Sequence, residues 1–569
     1  MKTILVSGQS DSDLPDQPAT EVTEGLGQMR LGAWPGARFI NALRHQWLFG
    51  GTVVVLLLIG ALSVTVGTVL GVANFRDVGY PDSAVLLKLG ELIRSGQIYP
   101  AIDRPPYQVT LYGPLTYLLL AIPYKVAQAA GITPDVPVRL GIVGALCLCV
   151  FLIFMISKHL HGSRPMAWLC TLFAVSALPL ALWTTQIRGD FLALAVSLLS
   201  VYLFLLTNGR PQAVGAAILA GVAVLFKQTF VAVPLAVFIW LVYRRRFKEA
   251  AVWATSFALT VVGGYSIVWW REPLMLTHIA ALRHPVLEYQ GALVFIWHAV
   301  AQPVVPLAVV GACLAWWKGA PEKILFLIYC IVAWLLAILA IPQVGGNINY
   351  FWEPLLASAV LAGPGLFELQ RKVNRTPILV TAMLFFLLVR SSLPMLRQEL
   401  DYLRLCYASL SDYQVRKAKW ESFVSTVSGR RLLSTIPDVT FHSITPEIPD
   451  PYLNAVLELR GQWNSGSVVA QIDAGVYDLI VIRKGQAEAD KGDGYRGVRG
   501  WSDGMWGALK RTYGLACTFE DMEIWLPLRG SDDTLHSLSA IRCLTPTKQV
   551  DSGSAVRTQV RSSSANIND

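Results

Sequence analysis

Charged residues are scarce in this chain: Asp, Glu, Lys and Arg together make up 15% of its 569 residues. Soluble proteins usually carry roughly 25% charged residues. Hydrophobic residues reach 54%, and the mean hydropathy is +0.49. The shortage of charge excludes a disordered protein, a coiled coil and a string of water-soluble domains. The composition predicts a polytopic α-helical membrane protein with soluble parts attached.

Metal-binding and redox motifs are also missing. The eight cysteines form no CxxC pair, and the sequence contains no HExxH motif. A disulfide among Cys406, Cys517 and Cys543 stays open, because nothing in the spacing selects a pair. No metal site is predicted, and a divalent metal cofactor has no support in the sequence.

The chain divides into four predicted regions. Residues 1–45 are a polar, disordered cytoplasmic tail without the apolar core of a signal peptide. Residues 46–394 hold the apolar runs and form a transmembrane domain with an outer loop at 73–111. Residues 395–545 contain strand-like runs at 431–436, 477–484 and 515–528 and form an extracytoplasmic α/β domain. Residues 546–569 are a Ser-rich disordered tail.

Basic connectors between the apolar runs predict the topology. By the positive-inside rule they are cytoplasmic, which places the C-terminal domain outside and gives 11 to 13 membrane helices. One run, at 112–130, breaks the alternation. It contains Pro114 and Pro123, and we interpret it as interfacial or re-entrant; a single failure of the rule is the alternative. The five basic connectors are KHLHGSR (158–164), NGRPQ (208–212), RRRFK (244–248), KGAPEK (318–323) and LQRKVNR (369–375).

Polar residues beside the apolar runs gather in connectors that this topology places on the outer face. A charge at the bilayer centre costs roughly 2.5–3.5 kcal/mol, so ionisable residues next to membrane helices indicate function. A short amphipathic helix at Ser83–Ser95 is predicted to lie on the same membrane surface. The polar set, with two neighbouring tyrosines, is Asp82, Tyr112, Arg188, Asp190, Lys227, Gln228, Arg283, His284, Asn347, Asn349, Tyr350 and Glu353.

Lys227 is the most informative of these residues. Residues 213–243 contain two crossings of roughly 22 Å each, which is shorter than a membrane core of about 30 Å. Lys227 should therefore lie below the outer surface, at the floor of a cavity. Structural roles remain as alternatives: snorkelling for Lys227, an ion pair of Arg188 with Asp190 or another acid, and a helix cap for Asp82.

The combination of residue types points to one kind of chemistry. Arg and Lys in a cavity at the outer leaflet suit a lipid phosphate. A carboxylate nearby suits a general base that takes a proton from an acceptor hydroxyl. A departing phosphate is a weak base, so it needs positive charge more than a proton donor. Together these groups predict glycosyl transfer from a polyprenyl-phosphate sugar.

Five segments around these residues resemble the GT-C superfamily of membrane glycosyltransferases. The similarity is to bacterial relatives of protein O-mannosyltransferases and of the lipid A aminoarabinose transferase, and it covers roughly residues 45–395. The segments are YPDSAVLLKLGELIRSGQIYP, YGPLTYLLLA, RGDFLALAVSLL, GVAVLFKQTFVAVPLAV and GGNINYFWEPLLASA.

The resemblance implies a GT-C-like fold and assigns roles to residues. Asp82 would be the catalytic base, although Ser83 follows it where many relatives have a second acid, so Asp77 and Asp103 stay alternatives. Asp190 would lie near the sugar or the acceptor. The expected donor-phosphate residues are Arg188, Lys227, Gln228, Arg283 and His284, and the expected sugar or acceptor residues are Asp190, Tyr112, Asn347, Asn349, Tyr350 and Glu353.

The expected function is inverting transfer of a sugar from a polyprenyl-phosphate donor to a hydroxyl of a glycan, lipid or protein. The expected location is the bacterial inner membrane, with the reaction on the extracytoplasmic face and no nucleic-acid partner. A transporter or flippase of lipid-linked sugars is an alternative, although we find no internal repeat of the kind transporters show. An enzyme like an O-antigen ligase is the third hypothesis.

Overall fold

The computed structural model describes most of the chain, in ten segments and three single residues. They are residues 35–74, 82–177, 184–207, 213–281, 289–318, 321–343, 346–373, 413–448, 451–486 and 500–528, with Arg397, Leu400 and Arg404.

Fourteen α-helices and one 3-10 helix lie in the described part of the chain before residue 374. The predicted amphipathic helix at Ser83–Ser95 is confirmed as the second of them. The helices are α1 (Pro35–Ala73), α2 (Asp82–Ser95), α3 (Pro114–Ala129), α4 (Asp135–His161), α5 (Arg164–Ser176), α6 (Asp190–Thr207), α7 (Ala213–Phe226), α8 (Ala232–Tyr243), α9 (Phe247–Arg271), α10 (Met275–Ala281), α11 (Tyr289–Val300), α12 (Val304–Lys318), α13 (Pro321–Ala340) and α14 (Trp352–Val373), with the 3-10 helix at Ile348–Phe351.

The chain is a multi-pass membrane protein. Within the described residues, five helices are long and apolar enough to cross a membrane: α4, α6, α9, α13 and the Gly51–Ala73 part of α1. The helices α11 and α12 form a pair bent by 62° that counts as a sixth span if it crosses as one. The total of 11 to 13 stays a prediction, because it includes apolar runs outside the described residues.

The basic connector between α4 and α5 shows how local sequence ends and restarts a helix. Gly162 adopts the left-handed conformation, with φ of 67°, and its N–H donates to Lys158 O. A glycine tolerates this conformation because it has no Cβ. The next residue, Ser163, caps α5 by accepting a hydrogen bond from the Met166 N–H through its side chain. The chain therefore reverses direction within a few residues.

The residues just before α3 and those soon after it lie on the same face of the helical bundle. The Gly113 N–H, just before α3, donates to Phe226 O at 2.9 Å, directly before Lys227. In α4, which follows α3 after a short turn, Arg139 contacts Asp82 at the start of α2. The interpretation of residues 112–130 as interfacial or re-entrant stays a prediction.

The C-terminal part contains a four-stranded sheet with the order β1-β2-β4-β3. Strands β1 and β2 are parallel, whereas β4 pairs antiparallel with both β2 and β3. The strand-like runs at 431–436, 477–484 and 515–528 are thus confirmed as strands. The elements are α15 (Tyr413–Val427), β1 (Leu432–Ser434), α16 (Pro437–Thr440), α17 (Pro451–Leu459), α18 (Gly466–Asp473), β2 (Leu479–Arg483), α19 (Asp503–Thr512), β3 (Tyr513–Phe519) and β4 (Met522–Pro527).

The part of the outer loop that follows α2, residues 96–111, contributes to the core of this C-terminal part. Ile102, Tyr107 and Val109 are buried in one cluster with Leu457 and Trp463. The hydrophobic cluster of the membrane helices is separate from it. The sheet and its helices are therefore docked on the face of the bundle from which the outer loop emerges.

Candidate functional site

Asp82 lies in the first turn of α2 and is completely buried. Its Oδ1 accepts a hydrogen bond from the Ile187 N–H at 2.8 Å. Its Oδ2 lies 3.4 Å from Nη2 of Arg139 in α4. The carboxylate is thus held by a buried cation and a backbone amide, which orient it as well as balance its charge.

Arg139 is a site residue that the sequence reasoning missed. It is buried, and Nη1 donates to Asn74 O at 2.6 Å as well as approaching Asp135 at 3.8 Å. It was overlooked because it stands at the beginning of an apolar run and not in a connector. An arginine within an apolar run is itself a sign of function, since such a charge is costly without a partner.

Asp190, at the start of α6, is the centre of a second buried cluster. Its Oδ1 accepts hydrogen bonds from Lys227 Nζ and, at 2.8 Å, from Asn349 Nδ2. The Lys227 ammonium also lies 5.1 Å from the centre of the Tyr350 ring. Among the described residues, Asp190 Oδ2 and Asn349 Oδ1 have no hydrogen-bond partner. The cluster therefore has acceptor atoms to offer to a ligand.

Close backbone contacts bring the two clusters together. The Gly113 N–H and the Thr116 hydroxyl both donate to Phe226 O, at 2.9 and 2.8 Å. A Cβ at Gly113 would lie 2.1 Å from Leu225 O, and a Cβ at Gly189 would lie 2.5 Å from Thr116 Oγ1. Only glycine permits these approaches, and they place Tyr112, Asp190 and Lys227 side by side.

Tyr112 connects the cluster of Asp82 with the cluster of Asp190. Burial raises the pKa of its hydroxyl well above the usual value, Arg188 opposes this shift, and the charges of Asp190 and Asp82 add to it. The backbone also joins these groups, because Ile187, which donates to Asp82, is one residue before Arg188 and three residues before Asp190. Residues from the outer loop, the start of α6 and the connectors thus share one site.

The loop that leads to Tyr112 is fixed by two residues after α9. Glu272 Oε2 accepts hydrogen bonds from the N–H groups of Ile98 and Tyr99, at 2.7 and 2.6 Å. His278 accepts from the Thr110 N–H at 3.0 Å, and its Nε2 lies 2.7 Å from Pro100 O. Burial lowers the pKa of His278 to about 4, so the ring is neutral at pH 7. The sequence reasoning selected neither residue.

Comparison with solved structures identifies the fold. The chain is similar to ArnT from Cupriavidus metallidurans in the apo state, with 15% identity and a TM-score of 0.53, over 84% of this chain and 98% of that one. It is equally similar to ArnT from the same organism bound to undecaprenyl phosphate, with 14% identity, a TM-score of 0.53 and the same coverage. The chain has the GT-C fold.

A third GT-C structure among the matches is the archaeal oligosaccharyltransferase AglB from Archaeoglobus fulgidus in complex with an inhibitory peptide and a dolichol-phosphate. Its identity is 11% and its TM-score 0.46, over 81% of this chain and 72% of that one. No protein-family model and no curated protein sequence matches the chain.

The GT-C fold brings together most of the residues that the sequence singled out. Asp82, Tyr112, Arg188, Asp190, Lys227, Asn349 and Tyr350 belong to the shared site. The snorkelling alternative for Lys227 is wrong, since the residue is 8% exposed and its ammonium faces Asp190. Lys227 and Asn349 are both buried partners of Asp190.

Other selected residues have different surroundings. Asn347 caps the 3-10 helix by accepting from the Ile348 N–H, and Glu353 accepts from the Tyr329 hydroxyl of α13 at 3.0 Å. Gln228 is half-buried and Asp103 is exposed. The described residues contain no group of three His, Cys, Asp or Glu side chains that could hold a metal ion. Asp77, Arg283 and His284 lie outside the described residues.

Proposed function

We propose that this chain is an inverting glycosyltransferase that moves a sugar from a polyprenyl-phosphate donor to a hydroxyl of a glycan, lipid or protein. The observation that carries the proposal is the buried Lys227–Asp190 pair close to a buried Asp82, whose carboxylate accepts from the Ile187 N–H three residues before Asp190. The bound undecaprenyl phosphate of the similar ArnT structure supports a lipid phosphate as the ligand of this fold.

Lys227 and Arg188 bind the donor phosphate in this proposal. Lys227 follows α7 and precedes α8, two apolar helices of 14 and 12 residues. Helices of that length span about 20 Å, so the lysine between them lies below the membrane surface, within reach of a lipid headgroup. In the absence of donor, Asp190 balances the charge of Lys227; a bound phosphate shares the ammonium with it.

Asp82 acts as the general base. The acceptor hydroxyl transfers its proton to the Asp82 carboxylate while its oxygen forms a bond to the anomeric carbon. The bond between that carbon and the phosphate oxygen breaks, and its electron pair stays with the phosphate. Lys227 and Arg188 stabilise the phosphate charge, so the phosphate leaves without a proton donor. Attack opposite the departing phosphate inverts the anomeric centre.

Asp190 and Asn349 hold the sugar or the acceptor. Their unpartnered oxygens, Asp190 Oδ2 and Asn349 Oδ1, are acceptors only, and sugar hydroxyls are donors that match them. A bound hydroxyl also removes the cost of leaving buried acceptors unsatisfied. The site therefore has separate groups for the phosphate, for the sugar or acceptor hydroxyls and for the reacting proton.

The reaction faces the extracytoplasmic side in this proposal. Cys517 in β3 is disulfide-bonded, while Cys406 and Cys543 lie outside the described residues. Structural disulfides persist in oxidising compartments and are rare in the cytosol. Because the sheet is docked on the outer loop that carries Tyr112, the disulfide and the site share one side of the membrane.

The direct test is sugar transfer in proteoliposomes that contain a radiolabelled polyprenyl-phosphate sugar. We expect Asp82→Asn to slow transfer by about 10²- to 10⁴-fold, the usual contribution of a general base. Glu421→Gln, at an exposed position of α15 far from the site, is the matched control. Transfer by Asp82→Asn at the wild-type rate removes Asp82 from the base role.

Binding of undecaprenyl phosphate tests the donor site separately. Lys227→Gln should weaken it by about 10- to 100-fold, because a charge-assisted hydrogen bond is lost, whereas Lys125→Gln at an exposed position of α3 should not. Movement of the labelled lipid across the bilayer without any transfer would support a flippase instead. Use of only diphosphate-linked oligosaccharides would support a ligase.

A further inference from the structure

We propose that Gln108 is a positioning residue that ties the first turn of α2, and with it Asp82, to the core of the C-terminal part. The kinetic part of this inference rests on the proposed function, because Asp82 is the catalytic base there. The structural link itself consists of contacts that join α2, the part of the outer loop that follows α2 and the helices around the sheet.

The C-terminal part holds Tyr107 by several independent contacts. The Asn454 side chain donates to Tyr107 O at 2.8 Å, and the Tyr107 hydroxyl lies 3.1 Å from Ser467 Oγ. The Tyr107 ring packs edge-on to Trp463, and the Ile448 N–H donates to Pro106 O at 3.1 Å. Tyr107 also has a positive φ of 54°, a conformation that persists only when its surroundings enforce it.

From Tyr107 to Thr110, successive side chains turn to opposite sides. Tyr107 and Val109 enter the core of the C-terminal part. Gln108 turns to α2, where its Nε2 donates to Ala84 O at 2.6 Å, and the Thr110 hydroxyl donates to Ile98 O at 2.7 Å. Alternation of this kind is typical of an extended chain. The segment therefore connects the two regions residue by residue.

Ala84 is two residues after Asp82 in α2, so its carbonyl moves with the carboxylate. Gln108 is 4% exposed, which keeps water from replacing its hydrogen bond. A second contact also joins the C-terminal part to α2, because α16 packs against α2. A shift of the sheet and its helices would thus be transmitted to the proposed base.

The test combines kinetics with hydrogen exchange on the full chain. Gln108→Leu keeps the size of the side chain but removes the donor. We expect kcat to fall by about 10- to 100-fold, as a displacement of roughly 1 Å can cause. KM for the lipid donor and binding of undecaprenyl phosphate should change less than threefold, because Lys227 is on another segment. Gln97→Leu, exposed in the same loop, is the matched control and should leave both constants unchanged.

A variant on the other side of the link gives an independent measurement. Asn454→Leu should lower kcat similarly, and the double variant with Gln108→Leu should lose less than the product of the two effects, as expected for residues of one connection. Gln462→Leu, exposed in the same region, is its control. A fall of kcat in Gln108→Leu with wild-type behaviour of Asn454→Leu would contradict the connection.

Hydrogen exchange does not depend on activity. Both variants should increase exchange at the amides of residues 82–88, measured by mass spectrometry, whereas the two controls should not. Unchanged exchange there, an unchanged kcat, or an effect on KM alone would each overturn the positioning role. If the wild-type protein transfers no sugar, the proposed function fails, while the exchange measurement still decides whether the link exists.

Discussion

Asp190 and Asn349 are 159 positions apart in the chain, and their side chains are joined by a hydrogen bond of 2.8 Å. The same Asp190 oxygen accepts from Lys227. The start of α6, the 3-10 helix before α14 and the connector between α7 and α8 therefore depend on one buried carboxylate. Its removal should affect stability as well as ligand binding.

Replacing one member of the Lys227–Asp190 pair should destabilise the protein strongly, although the intact pair adds little net stability. Asp190→Leu leaves a buried ammonium without its partner, and Lys227→Met leaves a buried carboxylate; each should cost about 3–5 kcal/mol. The double variant should be less destabilised than the sum of the two. Thermal unfolding in detergent, followed by tryptophan fluorescence, measures these differences.

A surface pair provides the control for this cycle. Arg246, just before α9, and Glu249, in the first turn of α9, form an ion pair between partly exposed side chains. Glu249→Gln should cost less than about 1 kcal/mol, since exposed pairs contribute little. Equal losses at the two pairs, or strict additivity in the Lys227–Asp190 cycle, would show that the two buried charges do not act as a pair.

Gly113→Ala should disturb the site through a steric clash, without any backbone strain. Gly113 has φ of −65°, which alanine adopts without strain, but the new Cβ would meet Leu225 O at 2.1 Å. We expect a loss of about 1–3 kcal/mol, typical of overpacking, together with weaker binding of undecaprenyl phosphate. The binding change follows because α3 would move against Phe226, next to Lys227.

Gly144→Ala is the matched control for this substitution. Gly144 is exposed in α4, and a Cβ there would meet nothing within 4 Å. Alanine in a helix is favoured over glycine by up to about 1 kcal/mol, so this variant should be as stable as the wild type or more stable. An equally stable Gly113→Ala protein with normal binding would show that the close contact is unimportant.

His278 should make stability depend on pH in the acid range. Its folded pKa of about 4 is below the usual value of 6.5 because the ring is buried. Between pH 6.5 and 4 the unfolded chain binds a proton that the folded chain does not, so stability falls as pH falls. The loss approaches roughly 3 kcal/mol at the acid end. His278→Asn should flatten this part of the curve of apparent Tm against pH.

A second histidine, His442, contributes to the same pH dependence of stability and is tested separately. Burial also lowers the pKa of His442 to about 4, so it adds its own loss and His442→Asn should flatten the curve further. His298 is exposed, and His298→Asn is the matched control variant. If His278→Asn keeps the full wild-type slope, protonation of His278 does not contribute to acid unfolding.

The sequence was sufficient to predict elements whose cause is local. The amphipathic helix α2, the strands of the C-terminal sheet and the shortness of α7 and α8 follow from hydrophobic periodicity, turn residues and the length of apolar runs. Asp82, Asp190 and Lys227 were found because charges next to membrane helices are costly. Arg139, Glu272 and His278 were missed, since their roles depend on contacts with distant residues.

Hydrophobicity and charge along the chain determined that this protein lies in a membrane and that its polar residues collect in one set of connectors. These are properties of single segments in contact with lipid or water. The tertiary structure alone decided that Arg139 faces Asp82, that Asn349 and Lys227 share one Asp190 oxygen, and that the C-terminal part encloses Tyr107. Such pairings follow from packing between distant segments, which no local pattern encodes.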